Sequence, residues 1–342
     1  MTAGAAPALR LFPSMNEKRQ QVTASAPGKL MLLGEHAVVY GRPCLVTAVG
    51  RWQATVAPAA DDLLHVTAPD VGLLDCALPL TAPVGEMPTG AHFIAAAVQE
   101  FRRKYGGSDG LAVTTSSNFS SRYGLGSSAA VTVAVLQALA AWHSVPLTRA
   151  ELFGLGRRAV LAVQGVGSGF DVAAAVYGGT LYFAAGGPTI EPLVVGDLPL
   201  VVGYSGVKAD TTTLVRGVAA RRAAAPQEID RLFDESAVLV EAGRRALQVG
   251  DFATLGSLFN QAQELLVRLG VSTPRLEALI AAAREAGAWG AKLSGAGGGD
   301  CLIALTPAER RQAVEAAIVA AGGEVVAVRP GELGVMVEGA VG

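Results

Sequence analysis

The chain has 342 residues, a length that suggests two domains rather than one core. Its 27 Lys+Arg against 29 Asp+Glu leave a formal net charge of -2, which argues against a nucleic-acid-binding surface. Three cysteines, Cys44, Cys76 and Cys301, are too few and too scattered for a disulfide framework or a zinc site, so each is expected as a buried thiol.

Residues 1–20 lack the apolar run of a secretory signal, and Met15 is a candidate start. The most apolar helix, about Ala129 to Trp142, is too short to cross a bilayer. A cytoplasmic protein with no membrane partner is expected.

In chain order, Gln21 to Ser25 reads as a short strand that Ala26-Pro27-Gly28-Lys29 breaks. Leu30 to Leu33 then runs apolar into Gly34-Glu35-His36-Ala37. Lys29, Glu35 and His36 among apolar neighbours are costly to bury without partners. They form either a salt-bridged surface turn or a lysine aimed into a cleft where negative charge gathers. Further strands are expected from Cys44 to Ala57 and from Leu63 to Ala68. Gly90 to Tyr105 has helical periodicity, with Phe93, Ile94, Val98 and Phe101 on one apolar face.

Tyr123-Gly124-Leu125-Gly126-Ser127-Ser128-Ala129-Ala130 opens the central helix. Its glycines permit positive φ and a close anion, and the helix start offers unpaired N–H groups and a positive dipole end. Ser127 and Ser128 supply hydroxyls for a helix cap or for magnesium carried with phosphates. Neither the Walker lysine nor the dinucleotide glycine spacing is present. Thr148-x-x-Glu151 starts another helix, running to about Val163. The turn after it, Gln164 to Phe170, leads into Asp171, either a helix cap or a catalytic carboxylate.

Strands at Thr180 to Ala184 and Leu198 to Tyr204 flank a Pro- and Gly-containing linker, Gly186 to Asp197. The domain boundary is placed there, giving domains over 20–190 and 191–342. Helices are expected over Thr212 to Ala223, Ile229 to Val249, Phe252 to Leu269 and Thr273 to Ala286. Between strands near Ala291 and Leu305 lies Gly295-Ala296-Gly297-Gly298-Gly299, glycine-dense enough to destabilise any regular element. It makes sense where backbone lies against a ligand. A helix from Ala308 to Ala321 and strands near Glu324 to Val328 and Gly334 to Glu338 close the chain.

Ser25-Ala26-Pro27-Gly28-Lys29 with Gly34-Glu35-His36, the Gly124 to Ala130 loop, and Lys292 to Cys301 resemble the three signature motifs of the GHMP kinases, in order. The resemblance implies a two-domain α/β (α+β) fold, an N-terminal α+β domain facing a C-terminal ferredoxin-like domain across the active site. It implies ATP with Mg2+, the Gly124, Leu125, Gly126, Ser127, Ser128 and Ala129 loop on the phosphates, and Ser127 or Ser128 on the metal. Asp171 would accept or orient the acceptor proton, and Lys29 would keep Asp171 ionised. Glu35, His36, Gly295, Ala296, Gly297 and Gly298 would stand on the substrate side or in the third loop.

The GEHAVVYGRP motif and the LGVSTPRLEALIAAAREAGAWGAKL stretch resemble mevalonate kinases, implying transfer of phosphate to the 5-hydroxyl of mevalonate. Gly167 to Ala173 and Gly299-Asp300-Cys301 resemble phosphomevalonate kinases, which makes 5-phosphomevalonate the alternative acceptor. Arg122 and Lys208 are the cations that could hold such an acceptor phosphate, whereas Asp300 would repel it. The magnesium-binding glutamate that mevalonate kinases tend to carry eleven residues before the catalytic aspartate is Val160 here. A non-catalytic ligand-binding homologue fits less well, because Lys29 and Asp171 are both retained. A homodimer is compatible with the resemblance.

Overall fold

The computed structural model describes residues 21–184 and 189–338. The readings of residues 1–20, including Met15, and of Gly186 to Pro188 in the linker lie outside the described residues.

The chain begins with strands β1 (Val22–Leu33), β2 (Pro43–Pro58), β3 (Leu63–Ala68) and β4 (Leu73–Pro79), then α1 (His92–Tyr105) and β5 (Leu111–Ser117). Three helices follow, α2 (Ser127–Trp142), α3 (Arg149–Gln164) and α4 (Phe170–Tyr177), before β6 (Thr180–Ala184), β7 (Thr189–Leu193) and β8 (Leu200–Tyr204). Next come α5 (Thr211–Ala224), α6 (Pro226–Val249), α7 (Phe252–Arg268) and α8 (Pro274–Glu285). The remaining elements are β9 (Gly290–Ser294), β10 (Cys301–Leu305), α9 (Arg311–Ala320), β11 (Glu324–Val325) and β12 (Met336–Val337).

The first sheet runs β12-β1-β2-β5-β3-β4, with β6 also on β2 and β7 on β6. Strand β2 is long enough to use one edge twice, pairing Pro43 to Thr47 with β6 and Trp52 to Pro58 with β5. The expected break at Pro27 is instead a register shift between Ala26 and Gly28 within one continuous β1. A bulge removes the missing proline N–H from the ladder without ending the strand.

Helix α2 is buried almost all round and packs on β1, β2, α1, α3 and α4. Ile94, Val98 and Phe101 are buried as the α1 pattern expects, while Phe93 is half-buried. Thr148 and Glu151 form the expected capping box of α3.

The second sheet is antiparallel in the order β11-β8-β10-β9, the arrangement of a ferredoxin-like unit, with α7, α8 and α9 packed on it. Gly243 of α6 sits against the first sheet, where a Cβ would meet Leu33 Cδ1 at 2.5 Å. That close approach fixes the helical layer of the second unit to the first sheet.

The sheets divide the chain differently from a split at residue 190. Strand β7 belongs to the first sheet, and β12 returns to pair with β1. The crossing into the second sheet falls between Leu193 and Leu200. All three cysteines are free, with Cys44 and Cys301 buried and Cys76 partly so. Among the described residues, no helix is long and apolar enough to cross a membrane.

Candidate active site

A cleft of about 460 Å3 opens where β1, the start of α2, the start of α4 and the glycine loop after β9 converge. Helix α2 supplies its floor. Gly126 is the N-cap, at φ 78°, and Gly124 has φ 72°, both in the left-handed region where a side chain is strained. No side chain caps α2, so its first-turn N–H groups are left for a ligand. Ser127 and Ser128 line the cleft, and Ser127 Oγ is buried without a hydrogen-bond partner among the described residues. Leu125 and Ala129 instead pack into the core, and Leu125 O accepts the Lys29 N–H at 2.7 Å, fastening the loop to β1.

Lys29 rises from the buried middle of β1 and donates from Nζ to Gly124 O at 2.9 Å. Burial lowers its pKa, against the attraction of Asp171 and Asp300. Asp171 is the second residue of α4, whose start is set by Gly169 at φ 91°. Its Oδ1 accepts the Val172 N–H at 2.9 Å. Burial nevertheless raises its pKa from the ordinary carboxylate value, with the Val172 N–H and then Lys29 opposing. Lys29 acts in the expected direction, favouring the carboxylate of Asp171, but burial opposes it and is the larger effect. The two share the cleft without an ion pair among the described residues, and desolvation outweighs their attraction.

Glu35 and His36 are not a surface turn. Glu35 makes a buried ion pair with Lys292 of β9, whose Nζ also donates to Leu293 O at 2.6 Å. His36 sits at φ 58° and donates from Nε2 to Ala296 O at 2.9 Å. Burial lowers its pKa and favours the neutral ring. Ser294 Oγ accepts the Met31 N–H and donates to Met31 O, a further tie, this one between β1 and β9 themselves.

The third loop divides by role. Gly295 and Ala296 line the cleft, while Cβ atoms on Gly297 and Gly298 would meet Val271 O at 2.2 Å and Leu214 Cδ1 at 2.7 Å. The latter two glycines permit packing of the loop from behind. Arg122 does not line the cleft; it pairs with Glu324 at 2.6 Å. Lys208 lines it from the end where the Gly124 to Ser128 loop begins, donating to Ser121 O at 3.3 Å. Val160 is buried in the apolar core, so α3 brings no carboxylate from that position.

Among the described residues, no group of three or more His, Cys, Asp or Glu side chains is placed to hold a metal. Ser168 and Thr212 also line the cleft and were not singled out from sequence, since isolated hydroxyls in loops and first turns carry no distinguishing pattern. Lys292 stands only at the edge of the Lys292 to Cys301 motif. A lysine between Ala291 and Leu293 in a buried strand was the available signal.

Two family models match, the GHMP kinases N terminal domain over residues 92–179 and the GHMP kinases C terminal over 244–324. Mevalonate kinase from Thermococcus sibiricus is 35% identical over 331 residues, covering 93% of this chain and 98% of that protein. Mevalonate kinase from Thermococcus gammatolerans is 36% identical over 319 residues, covering 89% and 94%. The crystal structure of L. major mevalonate kinase in complex with R-mevalonate superposes with a TM-score of 0.74 at 27% identity, covering 92% of this chain and 98% of that one. With both family models matched in order and relatives aligned over nearly their whole length, the chain belongs to the GHMP kinase family.

Proposed function

We propose that the protein is an ATP-dependent mevalonate kinase of the cytoplasm, transferring the γ-phosphate of ATP to the 5-hydroxyl of mevalonate. The observation that carries the choice of acceptor is the distribution of cations. Among the described residues lining the cleft, the charged bases are Lys29 and Lys208, and both bond carbonyls at the phosphate loop, of Gly124 and Ser121. A phosphorylated acceptor would need a cation of its own beyond these. The wall beside α4 is apolar instead, with Met31, Val38 and Val39 packed against Phe170 and Ala174.

Residues of this chain divide the work as follows. N–H groups of the Gly124 to Ala129 segment hold the β- and γ-phosphates at the helix start. The mevalonate 5-oxygen attacks the γ-phosphorus as the bond to the ADP oxygen breaks, and Asp171 orients the hydroxyl and takes its proton. Lys29 offsets charge on the transferring group while anchored to the loop by Gly124 O. Magnesium fits the cleft because Ser127 Oγ is buried, has no partner among the described residues and belongs to the phosphate loop. Ser127 and Ser128 would hold it, and it would supply positive charge against that of the phosphates.

Incubation with ATP, magnesium and, separately, mevalonate, 5-phosphomevalonate, galactose and homoserine tests the reading. Phosphorylation of mevalonate, abolished by a chelator, is expected. Turnover of 5-phosphomevalonate with none of mevalonate would overturn it in favour of the phosphomevalonate kinase reading.

A further inference from the structure

Asp300 stands against the phosphate loop, an unexpected place for a carboxylate. A Cβ added to Gly124 would lie 2.2 Å from Asp300 Oδ2, so loop and carboxylate are in close contact. Asp300 is also held firmly in place. Its backbone adopts φ 53°, its N–H donates to Val207 O at 2.8 Å, and its carbonyl accepts the Ser205 N–H at 2.9 Å. Oδ1 accepts the Ala209 N–H at 3.0 Å. The loop after β8 is thereby zipped to the third glycine loop, with Lys208 at its centre.

Lys208 completes the arrangement. Its Nζ lies 3.5 Å from Asp300 Oδ1 and donates to Ser121 O at 3.3 Å, spanning from the second unit to the segment leading into the phosphate loop. Both contacts are long, and the side chain is 54% exposed. An ammonium has three donors, so one remains for a ligand in the cleft. Lys29 differs, being buried and bonded within the loop at 2.9 Å.

We propose that Lys208 is a nucleotide-phosphate ligand, kept at the mouth of the phosphate loop by Asp300 and screening that carboxylate from the triphosphate. The inference rests on the kinase reading of the cleft but not on the identity of the acceptor. A fixed carboxylate beside the loop repels an incoming polyanion unless a cation stands between them. Lys208 meets that need through a contact weak enough to be shared with phosphate oxygens. Asp300 acts as a positioning residue, since it keeps a long, mobile side chain in place before the nucleotide arrives.

The test measures MgATP binding directly, by titration calorimetry without any acceptor, alongside steady-state kinetics with mevalonate. Lys208→Ala is expected to weaken MgATP binding by ten-fold or more, leaving Asp300 unscreened, while the KM for mevalonate changes less than two-fold. Lys208→Arg should retain most of the affinity. The double variant Lys208→Ala/Asp300→Asn should recover a large part of the loss, a coupling that simple loss of packing would not produce. Unchanged MgATP affinity in Lys208→Ala, or no recovery in the double variant, would overturn the proposal. So would a selective rise in the acceptor KM. Because binding is read without acceptor, failure to phosphorylate mevalonate would sink the substrate reading and leave this result standing. An unaltered thermal transition in each variant excludes misfolding as the cause, and Lys208 is exposed enough for that to be expected.

Discussion

Glu35 and Lys292 form an ion pair buried on both sides, one residue following the first strand and the other within the second sheet. Their attraction is strong because water is excluded, and for the same reason neither charge tolerates losing the other. Together with the His36 bond to Ala296 O, the pair sets the third loop at the height of the cleft.

Lys292→Met should therefore destabilise the protein by about 3–5 kcal/mol, the cost of stranding a buried charge. The double variant Glu35→Gln/Lys292→Met should lose clearly less. Urea unfolding of the set, with Glu35→Gln alone included, measures both, and a double-variant loss equal to the sum of the two single losses would show that the pair is not coupled.

Asp171→Asn should lower kcat by roughly 10²–10⁴-fold, the usual worth of general-base assistance, with MgATP binding retained. Near-normal kcat in a folded variant would remove Asp171 from the role proposed for it.

The same residue gives a pH signature. Its pKa is raised in the folded protein by burial, so the folded state favours the protonated carboxyl. Stability associated with that proton is complete below the unfolded value of about 3.9 and is lost as pH rises through the elevated folded value. Asp171→Asn should consequently raise the thermal transition at neutral pH and give no such gain below about pH 4. Activity in the wild type should climb with pH through the elevated value, since the carboxylate is the working form. Thermal scans and kcat profiles over the same buffers test both halves, and an acid limb at an ordinary carboxylate pKa would contradict the second.

Lys29→Ala removes both a charge and the bond to Gly124 O. It should lower kcat by about 10²–10³-fold, comparable to loss of one preorganised electrostatic contact. The KM for ATP should also rise, by roughly ten-fold, because a charge-assisted hydrogen bond that shapes the phosphate loop is gone. A change confined to kcat would mean that Gly124 keeps its position without the lysine.

Arg122→Ala should leave kcat/KM for mevalonate within two-fold of wild type. Its guanidinium pairs with Glu324 and stacks near Tyr123 and Tyr204, outside the residues lining the cleft. A selective loss toward either acceptor would show that the side chain reaches the cleft during turnover.

The sequence by itself determined the local elements and the chemistry each could carry. Helical periodicity located α1, an apolar run of helical length after the glycine loop located α2, and Thr148 with Glu151 marked the start of α3, because those signals are local to each segment. Left-handed glycines at 124 and 126 were legible for the same reason: the conformation required belongs to the residue itself. The continuous β1 through Pro27 was not legible, since only pairing with β2 turns a local break into a bulge. Nor were β7 and β12 readable as parts of the first sheet, because their partners are supplied by distant strands.

At the site, tertiary structure decided which charges meet. Lys29 and Asp171, which the resemblance pairs, attract each other across the cleft, but burial is the larger influence on each and their hydrogen bonds go to separate backbone groups. Glu35 found Lys292, and Asp300 found Lys208, across 257 and 92 positions of chain. Sequence names the groups able to ionise. The distances between them, and the water removed around them, exist only once the two sheets are packed together.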